Sequence, residues 1–528
     1  MTADEPAGDP EVAMMLEGAM AMHRQGNLQA AAGLYSEILR REPGNADALH
    51  HLGLLALQAR QPDQAVNLIS GAIAVRPGVA AMHANRAEAL FALGRHGEAV
   101  ADYDAALAAQ PGLAEAAGRK GEALLALGRV EDALASFERA VATKPSLASA
   151  HLGLGNVRTA LRDFDGALTA YDAAAAMNPG SLAAHFNRGN TLRALGQVDE
   201  AIAAYDAAIA LNAEFAIGQH NRAFCLLQAG RLAEGFAAYE WRAKCPTFDD
   251  PRYGLPNRWT GAEDLAGKRL FMFPELFLGD VIQFSRYATM AAQRGAKVTL
   301  GAPAALHGLL KGLAGNIALV DEDATPDFDL QAPLMSLPQA FGTTLETLPG
   351  AERWLSADPA RVARWRERIG GDGFKVGVVW QGSVQPYALP LARSFPLAML
   401  QGVGAIPGVR LISLQKVHGL EQLADLPAGM AVEDLGPEFD PGPDMFVDTA
   451  AAMEVCDLII TPDTSTAHLA GALGARTWVA LPYVADWRWL MGRDDSPWYP
   501  NTRLFRQAER GVWDGVFADM AGMLRAEV

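Results

Sequence analysis

The fold class predicted for this 528-residue chain is a stack of paired helices followed by two parallel-sheet lobes, all-α first and α/β after. Three features lead to it. Pro43, Pro77, Pro111, Pro145 and Pro179 recur every 34 residues, the length of one helix–turn–helix unit stacked on copies of itself. All ten tryptophans lie at or beyond Trp241, so composition changes where the period ends. Beyond that point short apolar runs alternate with amphipathic stretches, the pattern of parallel strands covered by helices.

The register of the repeat is deep. One column reads Gly53, Ala87, Gly121, Gly155, Gly189 and Ala223, where small residues let the two helices of a unit approach closely. A second reads Ala31, Ala65, Ala99, Ala133, Ala167 and Ala201. One turn further along the same helix face come Tyr35, Ile69, Tyr103, Phe137, Tyr171, Tyr205 and Tyr239. The prolines follow the second helix, where a missing N–H disturbs no ladder. These columns resemble the tetratricopeptide repeat, with about seven units between residues 12 and 249 and degenerate end units. Residues 1–11 are expected as a flexible N-terminus and 250–268, rich in Pro, Gly, Asp and Asn, as a linker.

Composition narrows the functional classes. Lysine plus arginine number 44 against 61 acids, a net charge of −17. A general nucleic-acid or acidic-membrane binder needs the opposite balance. Cys225, Cys245 and Cys456 have neither disulfide nor zinc spacing. The N-terminus lacks the basic start and apolar run of a secretory signal, and no apolar stretch is long enough to span a bilayer. A cytoplasmic protein without a membrane span is expected.

The second half reads as two lobes, 269–370 and 371–528. Arg269–Phe273, Lys297–Leu300, Ile317–Val320 and Phe328–Leu334 read as strands of the first, with a helix over Asp280–Arg294 and a connecting helix over Ala360–Ile369. Strands Lys375–Trp380, Val409–Gln415, Asp457–Thr461 and Thr477–Leu481, with helices Phe446–Val455 and Thr464–Leu473, read as the second. Two Rossmann-like lobes with a cleft between them are the economical arrangement.

Four segments could carry chemistry. In Asp457 to Gly474 an apolar strand ends at Thr461, and a helix opens through Asp463, Thr464 and Ser465. Its free N–H groups and positive dipole end suit phosphate oxygens. Thr464, Ser465 and Thr466 add hydroxyls, and His468 stands one turn in. Simple N-capping explains the same residue types equally well. In Phe273 to Arg286 a Gly279-Asp280 pair opens a helix after a strand, so Asp280 is either a general base at a strand's carboxyl end or an ordinary cap. Val376 to Ser383 runs a buried strand into Gln381, Gly382 and Ser383, followed by Arg393. Ile412 to Lys416 ends a strand in Gln415 and Lys416. Arg393 and Lys416 could neutralise a diphosphate or be solvated surface charges. No Walker loop, no acid pair at metal-ligand spacing and no Gly-x-Ser-x-Gly elbow is present. No metal is therefore required, and leaving-group charge would fall to the helix dipole and basic side chains.

Together these segments resemble the bacterial heptosyltransferase-like glycosyltransferases of GT-B architecture, in the branch fused to tetratricopeptide repeats. The matching pieces are Gly279-Asp280-Val-Ile-Gln, Val379-Trp-Gln-Gly, Arg393-Ser-Phe-Pro, Ser413-Leu-Gln-Lys416, Pro462 to Gly474 and Asp486-Trp-Arg-Trp489, in order over most of residues 255–507. The resemblance implies Asp280 as catalytic base. Asp463, Thr464, Ser465, Thr466 and His468 would then bind a nucleotide-sugar donor, assisted by Arg393, Gln415, Lys416, Gln381, Gly382 and Ser383. This chain departs from the family pattern at Phe277, where relatives commonly have Gly, and over Gln385–Pro390. Flagellin is an acceptor the resemblance suggests.

Within the repeats, one column runs His51, Asn85, Arg119, Gly153, Asn187 and Asn221, and three residues later Leu54, Glu88, Glu122, Asn156, Asn190 and Phe224. Residues three apart share a helix face, so Asn85, Asn156, Asn187, Asn190, Asn221, Glu88 and Glu122 line one strip. Asn carries both donor and acceptor and can grip an extended peptide backbone; a solvated polar face is the alternative. The strip resembles the asparagine ladder of O-GlcNAc transferase. The resulting expectation is a metal-independent protein O-glycosyltransferase whose repeats recruit the acceptor. The alternative is a repeat scaffold carrying an inactive transferase-like domain.

Overall fold

The computed structural model describes residues 9–275, 277–350, 352–382 and 393–528. The chain divides into two compact units, Met1–Thr191 and Leu192–Val528. The first is all helical, from Pro10–Arg24 and Leu28–Arg41 onward in antiparallel pairs. Each second helix ends two residues before its proline, as at Val75 before Pro77 and Met177 before Pro179. The alanine column is fully buried, and the ring column packs into the glycine column. A Cβ at Gly121 would lie 2.7 Å from the Phe137 ring and one at Gly155 2.4 Å from the Tyr171 ring. The spacing of the sequence thus becomes an inter-helix contact.

Two repeating polar contacts escaped the sequence reading. His83, His151 and His185 each turn a ring Nε2 onto the carbonyl of the preceding turn's proline, at 2.8, 2.9 and 3.1 Å. Arg86, Lys120 and Arg188 each reach back 16 positions, to Ser70, Asp104 and Asp172. The histidines tie three of the turns to the helices that follow them, and the cations tie successive repeats. Both recur at the 34-residue period and are legible once that period is known.

The second unit opens with helices Val198–Leu211, Ala216–Gln228 and Leu232–Tyr239, and a 3-10 turn Glu240–Lys244. Two sheets follow. The first contains β1 (Arg269–Phe273), β2 (Lys297–Ala302), β3 (Ala318–Asp321) and β4 (Leu330–Pro333), ordered β3-β2-β1-β4. The second contains β5 (Phe374–Val378), β6 (Val409–Ser413), β7 (Val432–Asp434), β8 (Leu458–Pro462), β9 (Thr477–Leu481) and β10 (Thr502–Arg506), ordered β10-β9-β8-β5-β6-β7. All the strand pairings are parallel. Counted from β5, the second sheet has the 3-2-1-4-5-6 order of the doubly wound fold, with its switch point between β5 and β8. The first sheet is the same order cut to four strands.

The core of the second lobe packs Val376, Val378, Leu458, Ile460 and Trp478 of the sheet against Phe517 and Met520 of the Asp514–Glu527 helix. The connecting helix Pro359–Ile369 is fixed to it through Asp448, whose Oδ1 accepts from Arg361 and from the Trp365 indole, each at 2.8 Å.

Three differences from the sequence reading have physical causes. The helix expected over Asp280–Arg294 divides into Leu278–Phe284 and Arg286–Gln293, because the Ser285 hydroxyl donates to the Ile282 carbonyl at 2.8 Å. Strands β7 and β10 were missed. Both are edge strands, short and carrying Glu433, Asp434, Arg503 and Arg506, the composition by which edges resist further pairing.

Candidate functional site

The exits of β1 and β8 bring the two lobes together. Beyond β1 the Leu278–Phe284 helix begins, and beyond β8 the Ser465–Ala472 helix begins with Thr464 as its N-cap. The two starts touch: a Cβ at Gly279 would lie 2.9 Å from the His468 ring and 3.4 Å from Ser465 Cα. Only glycine permits that approach, so the Gly279-Asp280 pair has a packing reason as well as a chemical one.

Asp280 is buried, 7% exposed. Its Oδ2 accepts from the Phe277 N–H at 3.3 Å, the capping role, and its Oδ1 accepts from Arg488 Nη2 at 2.5 Å. Burial pushes its carboxyl up from the ordinary value, and the Arg488 guanidinium opposes this in part. Arg488 also donates from Nε to Gln283 Oε1 and from Nη1 to Asp486 Oδ1, both at 2.8 Å. Asp486 caps the Trp487–Trp489 turn that presents Arg488. Burial works against the Asp486 charge, yet Arg488 and Arg393 hold its carboxyl below the ordinary range.

Asp463 lies beneath the second helix start, 3% exposed. Its Oδ2 has no hydrogen-bond partner among the described residues; Arg393 Nε stands 3.7 Å away. The buried indole N–H of Trp489 neighbours Asp463, outside ideal hydrogen-bond geometry but close enough to favour the ionised carboxyl. Burial raises the Asp463 carboxyl, against Arg393. His468 stacks on Trp489 at 5.6 Å and shares a 2.7 Å hydrogen bond from Nδ1 with the Tyr499 hydroxyl. Burial lowers it to about 3, so at neutral pH it is uncharged. Thr464 and Ser465 are half-buried at the rim, whereas Thr466 is buried.

The remaining donor candidates divide. Gly382 sits against Thr464, a Cβ there meeting Thr464 Cγ2 at 3.0 Å. Arg393 is exposed and reaches both Asp463 and Asp486. The Gln415 amide is taken up by backbone: its Oε1 accepts from the Trp380 and Gln381 N–H groups at 2.9 and 3.0 Å, and its Nε2 donates to the Gln381 carbonyl. Gln415 therefore shapes the turn after β5. Gln381 accepts from Gln422, and the Lys416 amine donates to the Phe439 carbonyl. Ser383 and the Gln385–Pro390 segment lie outside the described residues. The residues that sequence reasoning left without a role are Asp486, Arg488 and Gln283. Asp486-Trp-Arg was visible as a motif, but its pairing with Asp280, 208 positions away, was not.

Among the described residues no three His, Cys, Asp or Glu are grouped to hold a metal ion. Two recesses of about 450 and 710 Å³ run along β10 and the Asp514–Glu527 helix and include none of these residues.

In the repeats, the polar side chains of the strip make local hydrogen bonds. Asn85 Nδ2 meets His50 Nε2 at 2.8 Å, and Asn187 donates to Asn156 Oδ1 at 2.8 Å, which also accepts from Tyr171. Glu88 accepts from Tyr103 and Arg119, and Glu122 from Arg119, so Arg119 bridges two acids. Asn221 hydrogen-bonds Tyr205, and Asn190 is also engaged. Gly153 serves packing instead, forming with Gly121 the slot for the Phe137 ring.

The sequence profile described as tetratricopeptide repeat matches residues 16–60, 50–114, 98–148, 119–181, 152–216 and 186–246, so this part of the chain carries tetratricopeptide repeats. Protein FlbA of Caulobacter vibrioides is 30% identical over 305 residues, 52% of this chain and 50% of FlbA. The chain thus spans half the length of that curated relative. Among solved structures, YrrB, a tetratricopeptide-repeat protein with an unusual peptide-binding site, is 19% identical, covering 35% of this chain and 96% of YrrB with a TM-score of 0.32. A tetratricopeptide repeat protein from Parabacteroides merdae is 19% identical, covering 44% of this chain and 93% of its own with a TM-score of 0.36. Among the described residues no helix is long and apolar enough to cross a membrane.

Proposed function

We propose that the α/β part is a GT-B-type glycosyltransferase and that the repeats recruit its protein acceptor. The observation that carries this reading is the convergence of Gly279-Asp280, at the exit of β1, with the Asp463–His468 segment, at the exit of β8. Ligands of open parallel sheets bind at such carboxyl ends. In the proposed reaction Asp280 takes the proton of an acceptor Ser or Thr hydroxyl as its oxygen attacks the anomeric carbon. The bond from that carbon to the phosphate oxygen breaks, and the nucleotide departs with the electron pair. The N-terminus of the Ser465–Ala472 helix and the exposed Arg393 guanidinium face the leaving charge. Asp463, Thr464, Ser465, Thr466 and His468 are the proposed donor-binding group, with Thr464 and Ser465 at its accessible rim. Asn85, Asn156, Asn187, Asn190 and Asn221, with Glu88 and Glu122, are the proposed peptide-facing groups. Flagellin is the first acceptor to try, on the resemblance.

A second reading, a repeat scaffold with an inactive transferase-like domain, is favoured by one observation. Asp280 is buried with both oxygens engaged. Nucleotide release by the full-length chain against a panel of nucleotide sugars separates the two. The transferase reading expects release with at least one donor, reduced about 10²–10⁴-fold in Asp280→Asn with its circular dichroism unchanged. Wild-type protein that neither binds nor cleaves any donor leaves the scaffold reading in possession.

A further inference from the structure

The charged side chains at the lobe junction form one alternating series: Asp280, Arg488, Asp486, Arg393, Asp463. Successive separations are 2.5, 2.8, 3.9 and 3.7 Å. Three carboxyl groups face two guanidiniums, so the acids outnumber the cations by one. Arg393 is its open member, with 44% of its side chain exposed against 4 to 17% for the others. Its two contacts are also the longest, beyond hydrogen-bond distance. A dissolved anion meets this series at its loosest link.

We propose that Arg488 is a positioning residue that ties Asp280 to this rim, so that a phosphate taken up by Arg393 loosens the hold of Arg488 on Asp280. The inference rests on the transferase reading, which supplies Asp280 with a role. A phosphate offers Arg393 charge-assisted hydrogen bonds that carboxylates at 3.7 and 3.9 Å do not. Once Arg393 turns to it, Asp486 keeps Arg488 as its one close cation and draws it more strongly. Arg488 shares its guanidinium among Asp280, Asp486 and Gln283, so a closer bond to one weakens the others. Among the described residues the other charged or titratable groups about Asp280 are Glu275, Tyr239, Tyr499 and the uncharged His468, with Arg242 on Glu275 and Arg286 beside Tyr499 one layer further out. A loosened Asp280 binds a proton more readily. That makes it a stronger base when a donor is in place and a weak one when the site is empty. No covalent bond changes; the proton exchanges with solvent.

The test is proton uptake on binding sodium pyrophosphate, measured by calorimetry of the full chain in buffers of differing ionisation enthalpy between about pH 5 and pH 8. Wild-type protein is expected to take up part of a proton. Asp280→Asn and Arg488→Gln should each remove the same share, and the double variant no more than either alone. Arg488→Lys, which restores a cation, should recover it. If the neutral variants do not fold, Asp280→Glu should move the pH at which uptake occurs. Undiminished uptake in Asp280→Asn, an unmoved profile in Asp280→Glu, or pyrophosphate binding with no linked proton overturns the relay and leaves the transferase reading intact. A failure of pyrophosphate to bind overturns the relay; the transferase reading falls with it only if no nucleotide sugar binds or is cleaved.

Discussion

Arg242 and Glu275 show what single buried charges do in this chain. Arg242, at the end of the repeats, donates to both Glu275 oxygens at 2.8 and 3.1 Å and to Ser336 at 2.7 Å. The Glu275 side chain is fully enclosed, also accepting from Tyr253 and from the Met335 N–H. Neither charge is visible as functional in the sequence, yet Glu275 lies just after β1 and ties the end of the repeats to it through Arg242. Removing one member leaves an uncompensated buried charge, so Arg242→Met is expected to cost about 3–5 kcal/mol in urea unfolding. Arg242→Met with Glu275→Leu should recover most of that. A single variant losing less than about 1 kcal/mol would show the pair to be incidental. The same scale limits what can be read at the site. Gln415 and Lys416 stand at a strand end where a donor phosphate was expected, but their polar atoms hold the Trp380–Gln381 turn and the Phe439 carbonyl. Which neighbour wins a side chain is decided by distance in space, and a strand-end position does not supply that.

The helix–helix contact is the unit from which the repeats are built, and Phe137 is its clearest case. Its ring lies between two successive first helices, where added Cβ atoms at Gly121 and Gly153 would come within 2.7 and 2.1 Å of it. Both positions stand out in the sequence, but only Gly121 for its packing role. Gly153 reads as a gap in a polar column because the ring that fills it belongs to the neighbouring helix. Gly153→Ala should therefore destabilise by overpacking, about 1–3 kcal/mol, against about 1 kcal/mol regained from helix propensity. Phe137→Leu in the same chain should relieve it, giving a favourable coupling in a double-mutant cycle. Strictly additive effects would mean that the ring does not occupy the slot. In the sheets, elements flanked by apolar runs were legible with boundaries within two residues, as at β1 and β9. The edge strands β7 and β10 were not, because pairing on one side and charge on the other erase the apolar signature.

For the molecule taken whole, pH is the simplest probe. Burial lowers His468 to about 3 from an ordinary 6.5, and His50 and His220 to about 4. An unfolded chain binds protons at these histidines below about pH 6.5 while the folded one does not, so stability falls as pH drops through that window. For His468 the slope is about 1.4 kcal/mol per pH unit down to about pH 3. His468→Phe should flatten the acid limb of a stability profile; an unchanged limb would mean that the ring is charged or solvated when folded. The repeat period, the small and aromatic columns, the order all-α then α/β, and most of the strands are all written in the chain itself. They follow from local periodicity, which every stretch of sequence carries. Three-dimensional closure alone settles that Asp280 pairs with Arg488, that Asp463 lies buried beneath the Ser465 helix start, and that Asn187 bonds Asn156. Those contacts join residues up to 208 positions apart. They are fixed by how the sheets and helices close on one another, and no local pattern encodes that.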